Sequence, residues 1–170
     1  MDLDGAVVWS RTFDLFLAND EYPYSLIIDS EGMIVLSGTT DEISFGGVIY
    51  VLRYDPYNHQ TLWENEYVSS PNSTHGALLQ KGNGGNYVMT NDLNIYSQNH
   101  IDVELMEIDK NTGVVIPAIS KKFRLSNRES LFEIIYDGNF IYGTGRYSDG
   151  AGIENFRNTV VKLDPNDGSQ

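Results

Sequence analysis

An all-β chain assembled from one repeated unit is predicted by three observations. The first is a recurring phrase, an apolar strand ending in Asp, a polar turn and a second strand. It appears in "MDLDGAVVWSRTF", "VLRYDPYNHQTLWENEYV", "LMEIDKNTGVVIPAISKKF" and "VVKLDPNDGSQ". Its aspartates, Asp2, Asp55, Asp109 and Asp164, stand 53, 54 and 55 residues apart. The second is an independent phrase of the same period, "YSLIIDSEGMIVLSGTT", "HGALLQKGNGGNYVMTN" and "LFEIIYDGNFIYGTGR", in which Gly32, Gly85 and Gly138 fall 53 apart both times. The third is the patterning: short Val-, Ile- and Tyr-rich runs with no apolar stripe of helical length. Two anchors sharing one period make a repeat architecture the expectation.

Within a unit, the first two strands surround a turn. "SLIIDSEGMIVLSGT" reads as a hairpin whose Gly supplies a positive φ, and "FEIIYDGNFIYGTG" carries the more direct Asp137-Gly138 signal. A third strand follows in "VIYVLRYD", "DVELMEID" and "NTVVKLD", and a fourth after the Asp turn in "TLWENEYV" and "GVVIPAISKKF". Four antiparallel strands every ~50 residues predict a β-propeller segment. The expectation is a single segment over residues 1–170, three four-stranded blade repeats of about 54 residues with the ring incomplete in this chain. A β-solenoid needs shorter turns, and a sandwich would not repeat so evenly. The predicted core is Ile27, Ile34, Leu36 and Val51, then Leu79, Val88 and Leu105, then Ile134, Ile141 and Val161.

This register starts the chain with an outermost strand at residues 5–13 and ends it after three strands of another unit. Rings commonly close by such an offset, yet three blades fall short of the usual 4–8. The chain is therefore expected to be part of a larger propeller or to assemble with copies of itself, two of which would supply six blades.

Asp2, Gly5 and Trp9 in "DLDGAVVW", echoed by Asp55 and Trp63 in "DPYNHQTLW", resemble the repeats of quinoprotein-like propellers. "DSEGMIVLSGTT" and "GNGGNYVMT" look like propeller repeats of bacterial surface and secreted proteins. The resemblance covers essentially the whole chain, although the third copy has Ile116 and Pro117 at the Trp position. It implies that the Asp turn joins third and outermost strands and that the Trp packs between neighbouring blades. It also implies an extracellular, cell-surface or periplasmic location.

Charge bounds the partners. With 24 acidic and 11 basic residues the net charge is −13, and phosphate would be repelled, so nucleic acid and anionic lipid are not expected partners. No run of about 18 uncharged apolar residues is present to insert in a membrane. Without cysteine there are no disulfides or thiolate metal sites, and the compartment stays open on that ground.

The candidate chemistry is sparse. "DKNTG" (Asp109, Asn111, Gly113) and "DPNDG" (Asp164, Asn166, Asp167, Gly168) resemble half of a calcium loop, but the terminal bidentate Glu is missing and turn capping is expected instead. His59, His75 and His100 show no metal-ligand spacing. The Asp box of sialidases is approached by the first copy without its leading Ser. Tyr24, Ser25, Thr74, His75, Ser130 and Leu131, at the starts of the innermost strands, form no Arg or carboxylate cluster. No catalytic, cofactor or metal site is assigned. Asn72 heads a glycosylation sequon, meaningful only in a eukaryotic secretory source.

Loop length gives the one functional clue. The long connections, such as "DLFLANDEYP", "TDEISFGG", "DLNIYSQNHI" and "RYSDGAGIENF", emerge on one face of a ring, and variable loops on a rigid scaffold commonly bind. Phe45, Tyr96, Tyr147 and Phe156 are the candidate binding residues there. The expected function is a non-catalytic binding or structural module engaging protein or glycan. The alternatives are a fragment of a quinoprotein- or glycosidase-like enzyme, and an architectural segment of a large assembly.

Overall fold

The structure is a computed structural model that describes residues 9–13, 21–40, 48–67, 73–74, 78–81, 84–95, 100–117, 121–123, 128–148 and 156–166. These residues form twelve strands and no helix. Strands β1 (Glu21–Ile28), β2 (Ile34–Thr40), β3 (Val48–Asp55) and β4 (Gln60–Tyr67) make an antiparallel meander in chain order. In the second unit, β5 (Ser73–Thr74) and β6 (Leu78–Gln80) both pair with β7 (Tyr87–Ile95), followed by β8 (His100–Ile108) and β9 (Lys121–Phe123). The third unit is β10 (Arg128–Tyr136), β11 (Ile141–Ser148) and β12 (Phe156–Leu163). A single parallel bridge, Arg128 to Ile101, joins the second and third units into one eight-stranded sheet, whose ordered path runs β12-β11-β10-β8-β7-β5 with β6 and β9 beside it.

Local chemistry explains the strand limits. Pro23 cannot donate to a ladder, and the β1–β2 register slips between Pro23 and Ser25. The three hairpins close on Ile28–Ile34, Gln80–Tyr87 and Tyr136–Ile141, with Gly32, Gly84 and Gly138 at positive φ in the turns. In the second turn the positive φ falls on Gly84 rather than on the expected Gly85. Gly85 is instead a close approach, since a Cβ there would meet the Lys81 carbonyl. Of the expected fourth strand over "GVVIPAISKKF", the described residues show a bridge at Val115 and the short β9; Pro117, which cannot donate to a ladder, stands between them, and residues 118–120 lie outside the described residues.

Because side chains alternate across a strand, each sheet has two faces. The forward face of the first unit, Ile27, Val35, Ile49 and Val51, packs on the rear face of the second, Leu78, Tyr87, Met89, Met106 and Ile108. The forward face of the second, Val88, Val103 and Leu105, packs on Leu131, Ile134, Ile141, Val161 and Leu163 of the third. The ladders put these positions in register, with Tyr54, Ile108 and Leu163 opposite Ile34, Tyr87 and Ile141. The units thus stack forward on rear in chain order.

Of the predicted core, Val51, Val88, Leu105, Ile134, Ile141 and Val161 are buried. Ile27, Ile34 and Leu36 are only half-buried, which corrects the expectation, and the side chain of Leu79 lies outside the described residues. Ile34 and Leu36 belong to the rear face of the first unit, which has no sheet stacked on it among the described residues. Of the outermost strand expected over residues 5–13, residues 5–8 lie outside the described residues, and 9–13 pair with no ladder among the described residues and lie over that same rear face. Its ladder would need a neighbouring third strand, which nothing in the described residues provides.

Candidate functional site

Two constellations stand out. The first is a cleft between residues 9–13 and the rear face of the first unit. The "WSRTF" segment is held there by its aromatic rings. Phe13 meets the Tyr54 ring edge-on at 5.2 Å between centroids, and Trp9 lies 6.4 Å from Tyr54 and 6.5 Å from His59. The ring of His59 is anchored from Tyr54, whose hydroxyl is 3.2 Å from Nδ1. Beside these rings opens a cavity of about 420 Å³ with Leu26, Ile34, Leu36 and Tyr50 on its floor and Arg11 and Glu21 in its lining. Burial, with Glu21 and Tyr24 nearby, pushes the Tyr50 hydroxyl up to about 12. It therefore stays neutral at ordinary pH and acts as a hydrogen-bonding group rather than a base. Such a lining suits an apolar or aromatic occupant.

The second constellation is polar and joins the first two units. Asp29 follows the apolar run "SLII" and caps its hairpin, its Oδ1 accepting the Glu31 and Met33 N–H groups at 2.8 and 2.9 Å. Its Oδ2 accepts Arg53 Nε at 3.0 Å, Arg53 Nη2 at 2.8 Å and the Tyr87 hydroxyl at 2.6 Å. Burial raises Asp29, but the donors from Tyr87, Met33, Arg53 and Glu31 together hold its carboxyl below the ordinary range. Burial and the Asp29 partner push the Tyr87 hydroxyl well up. Arg53 also reaches Glu31, which bonds Lys110 of the second unit at 2.5 Å. Next to this, Trp63 Nε1 donates to the Lys110 carbonyl at 2.9 Å and the Tyr67 hydroxyl to the Gly113 carbonyl at 2.5 Å. Every charge in the cluster faces a partner inside it, so it is built to clamp two sheets rather than to take a ligand.

The Asp turns at Asp55, Asp109 and Asp164 are capped by their own backbone, while Asp2, Asp167 and Gly168 lie outside the described residues. Asp55 Oδ1 accepts Tyr57 and Asn58 N–H, Asp109 Oδ1 accepts Asn111 and Thr112 N–H, and Asp164 Oδ1 accepts Asn166 N–H. Asp137 does the same for Asn139 and Phe140 in the third hairpin. No cluster of three or more His, Cys, Asp or Glu fit for a metal occurs among the described residues.

Of the four candidate binding residues, Phe45 and Tyr96 lie outside the described residues, as does Asn72. Tyr147 and Phe156, expected on a loop, stand in β11 and β12, because the ladder extends to the Ser148–Phe156 pair. Tyr147 is half-buried there, and the side chain of Phe156 is outside the described residues. The structure therefore does not bring the four together within what it describes. Sequence reasoning missed the Asp29–Arg53–Tyr87 clamp. Its signal was available: a charge closing "SLIID" and another inside "VLRYD", both in runs otherwise fit for burial. No protein-family model matches the chain, and no curated protein or solved structure matches it either.

Proposed function

We propose that the chain is a β-propeller segment of three blades acting as a non-catalytic binding and assembly module, which engages protein or glycan through its long-loop face. The observation that carries the reading is the stacking of three sheets, forward face on rear face, with equivalent register positions at both interfaces. That is how successive blades cover one another's apolar faces. The polar clusters lend further support. Arg53, Asp29, Glu31, Lys110, Lys81 and Glu107 pair with one another, from strand to turn within a unit or, at Glu31–Lys110, between units, as a scaffold's charges do.

The reading is tested by screening the chain on a glycan array and against candidate protein ligands, with Phe45→Ala and Tyr96→Ala variants alongside. A saturable ligand weakened about tenfold by either substitution, with the circular dichroism unchanged, is the expected result. Turnover of a glycoside or an alcohol by the isolated chain would overturn it, and so would a ligand indifferent to every loop substitution.

A further inference from the structure

The two outer faces of the stack carry apolar residues left open. On the rear face of the first unit, Leu26 and Ile28 are 59% and 71% exposed, beside the cleft of about 420 Å³. On the forward face of the third unit, Ile135 and Val160 are 60% and 76% exposed, around a hollow of about 290 Å³ shared with Tyr142 and Thr144. The register identifies what each face is for. Ile135 and Tyr142 pair as Ile27 and Val35 do, and Thr144 and Val160 pair as Ser37 and Val51 do. Ile27, Val35 and Val51 are the residues with which the first unit grips the second. Leu26 and Ile34 in turn occupy the register positions of Leu78 and Tyr87, which receive that grip. The forward face of the third unit thus presents the gripping half of the interface, and the rear face of the first unit presents the receiving half.

We propose that the forward face of the third unit binds the rear face of the first unit in a second copy of this chain. The same contact made in return closes a two-fold ring of six units, a closed arrangement that leaves neither face open. The segment 9–13 fits this occupant. Trp9 stands on the first unit, against Tyr54 and the turn at His59, much as Trp63 stands on the second, against Tyr87 and the turn at Lys110. The open cleft between 9–13 and the sheet is then the seat of the partner's third unit, with 9–13 flanking the partner's β12. The proposal rests on reading the units as blades.

The chain has no cysteine, so introduced thiols report on chosen pairs alone. Chains carrying Ile28→Cys are mixed with chains carrying Asn139→Cys and treated with a short bis-maleimide. Ile28 holds the register position of Gln80, and Asn139 adjoins Gly138, which stands two residues past Tyr136 as Ser30 stands past Ile28. The pair thus places thiols next to the counterpart of the Ser30–Gln80 contact, where the Ser30 N–H donates to Gln80 Oε1 at 2.8 Å. A chain with Ser30→Cys and Gln80→Cys is the internal control. The expected result is an intrachain link in the control, a covalent dimer in the mixture, and dimers in sedimentation of the wild type. Ile135→Asp with Val160→Asp should weaken the dimer at least a hundredfold with the circular dichroism unchanged. A control that links while the mixture does not overturns the proposal and leaves the blade reading standing. A chain carrying both Ile28→Cys and Asn139→Cys that links only within itself overturns it too, in favour of three-unit closure. Failure of the internal control overturns the proposal together with the blade reading.

Discussion

Between the first and second units, the forward-facing residue next to the Asp turn is Arg53, and it reaches a carboxylate whose side chain is fully buried. Between the second and third units the same register position is Glu107, and its partner Lys81 also bonds the Pro165 carbonyl at 3.3 Å. The apolar stacking is alike in both, but the first interface adds the Tyr87 hydroxyl, Trp63 Nε1 and the Tyr67 hydroxyl to its polar latch. The second adds Asn86 to Glu107 beside a cluster whose buried members are all aliphatic. The two interfaces therefore bury corresponding faces while their latches differ in sign. In both cases the preceding units reach the Asp turn of the unit ahead, through Trp63 at Lys110 and Lys81 at Pro165.

The comparison breaks most visibly at Asp29. Asp29→Ala leaves Arg53 buried without its main partner and two hairpin N–H groups uncapped, so it should cost about 3–5 kcal/mol. Glu107→Ala removes the acceptor of Lys81 and Asn86, both less buried than Arg53, and should cost roughly 1.5–3 kcal/mol, the scale of a charged hydrogen bond. Urea titrations with constant m-value would measure both. Equal losses would show that the two latches do not differ in kind.

Leu105→Ala probes the aliphatic interface and should cost about 2–4 kcal/mol, since the cavity it leaves lies in a close-packed cluster. The buried members of that cluster are all aliphatic, so the loss should be insensitive to salt. A loss below about 1 kcal/mol would mean that the second and third units are not packed as described.

Acid and base should act on the first interface more than on the second. Asp29 is lowered on folding, so its contribution is present above the unfolded value of about 3.9 and lost as the pH falls through the folded value. Tyr67 and Tyr87 are raised, chiefly by burial, so theirs is complete below about 10 and lost as the pH rises further. The melting temperature should hold a plateau from roughly pH 5 to 9 and fall on either side. Asp29→Asn should flatten the acid limb and Tyr87→Phe the alkaline limb. An acid limb identical in wild type and Asp29→Asn would assign it to the exposed Asp turns instead.

The all-β class and the hairpins at Gly32 and Gly138 were legible because strand alternation and turn chemistry are local properties of the chain. Which face of β2 packs was not, since "MIVLSG" is apolar on both parities. Val35 is buried, while Leu36 is half-buried beside a cleft that only the arrangement of 9–13 creates. The clamp was hidden for a different reason. Asp29, Arg53 and Tyr87 are 24 to 58 residues apart, and a single sequence does not state that they converge. Loop aromatics were the weakest guide, because Tyr147 and Phe156 have the β propensity to extend a ladder and do so.

Trp63→Phe sharpens the contrast on a smaller scale. It keeps most of the ring that packs against Tyr87 but removes the donor to the Lys110 carbonyl, for an expected loss near 1 kcal/mol. The equivalent change at Trp9, which is 47% exposed, should cost less than half of that unless a second copy covers it. Comparing the two at low and high protein concentration would show whether Trp9 becomes buried on assembly.

The smallest expected effect is that of removing calcium. Asp109 shows why, because its turn is also the place where the first unit meets the second. Its Oδ1 already accepts the Asn111 N–H at 3.0 Å, the Thr112 N–H at 2.9 Å and the Thr112 hydroxyl at 2.9 Å. A cation on that oxygen would have to displace donors whose protons point at it, and it would lack the bidentate Glu that completes a calcium loop. Gly113, at φ +70°, closes the turn beneath Trp63 and Asn65, whose side chains fill the space a Cβ would need. The turn is thus shaped by backbone hydrogen bonds and by the neighbouring sheet. Chelation with EDTA should leave the melting temperature within about 1 °C of its starting value. A fall of several degrees, restored by added calcium, would place an ion in an Asp turn. Loss of that fall in Asp109→Asn would locate the ion at the first interface, making metal part of the latch that distinguishes it from the second.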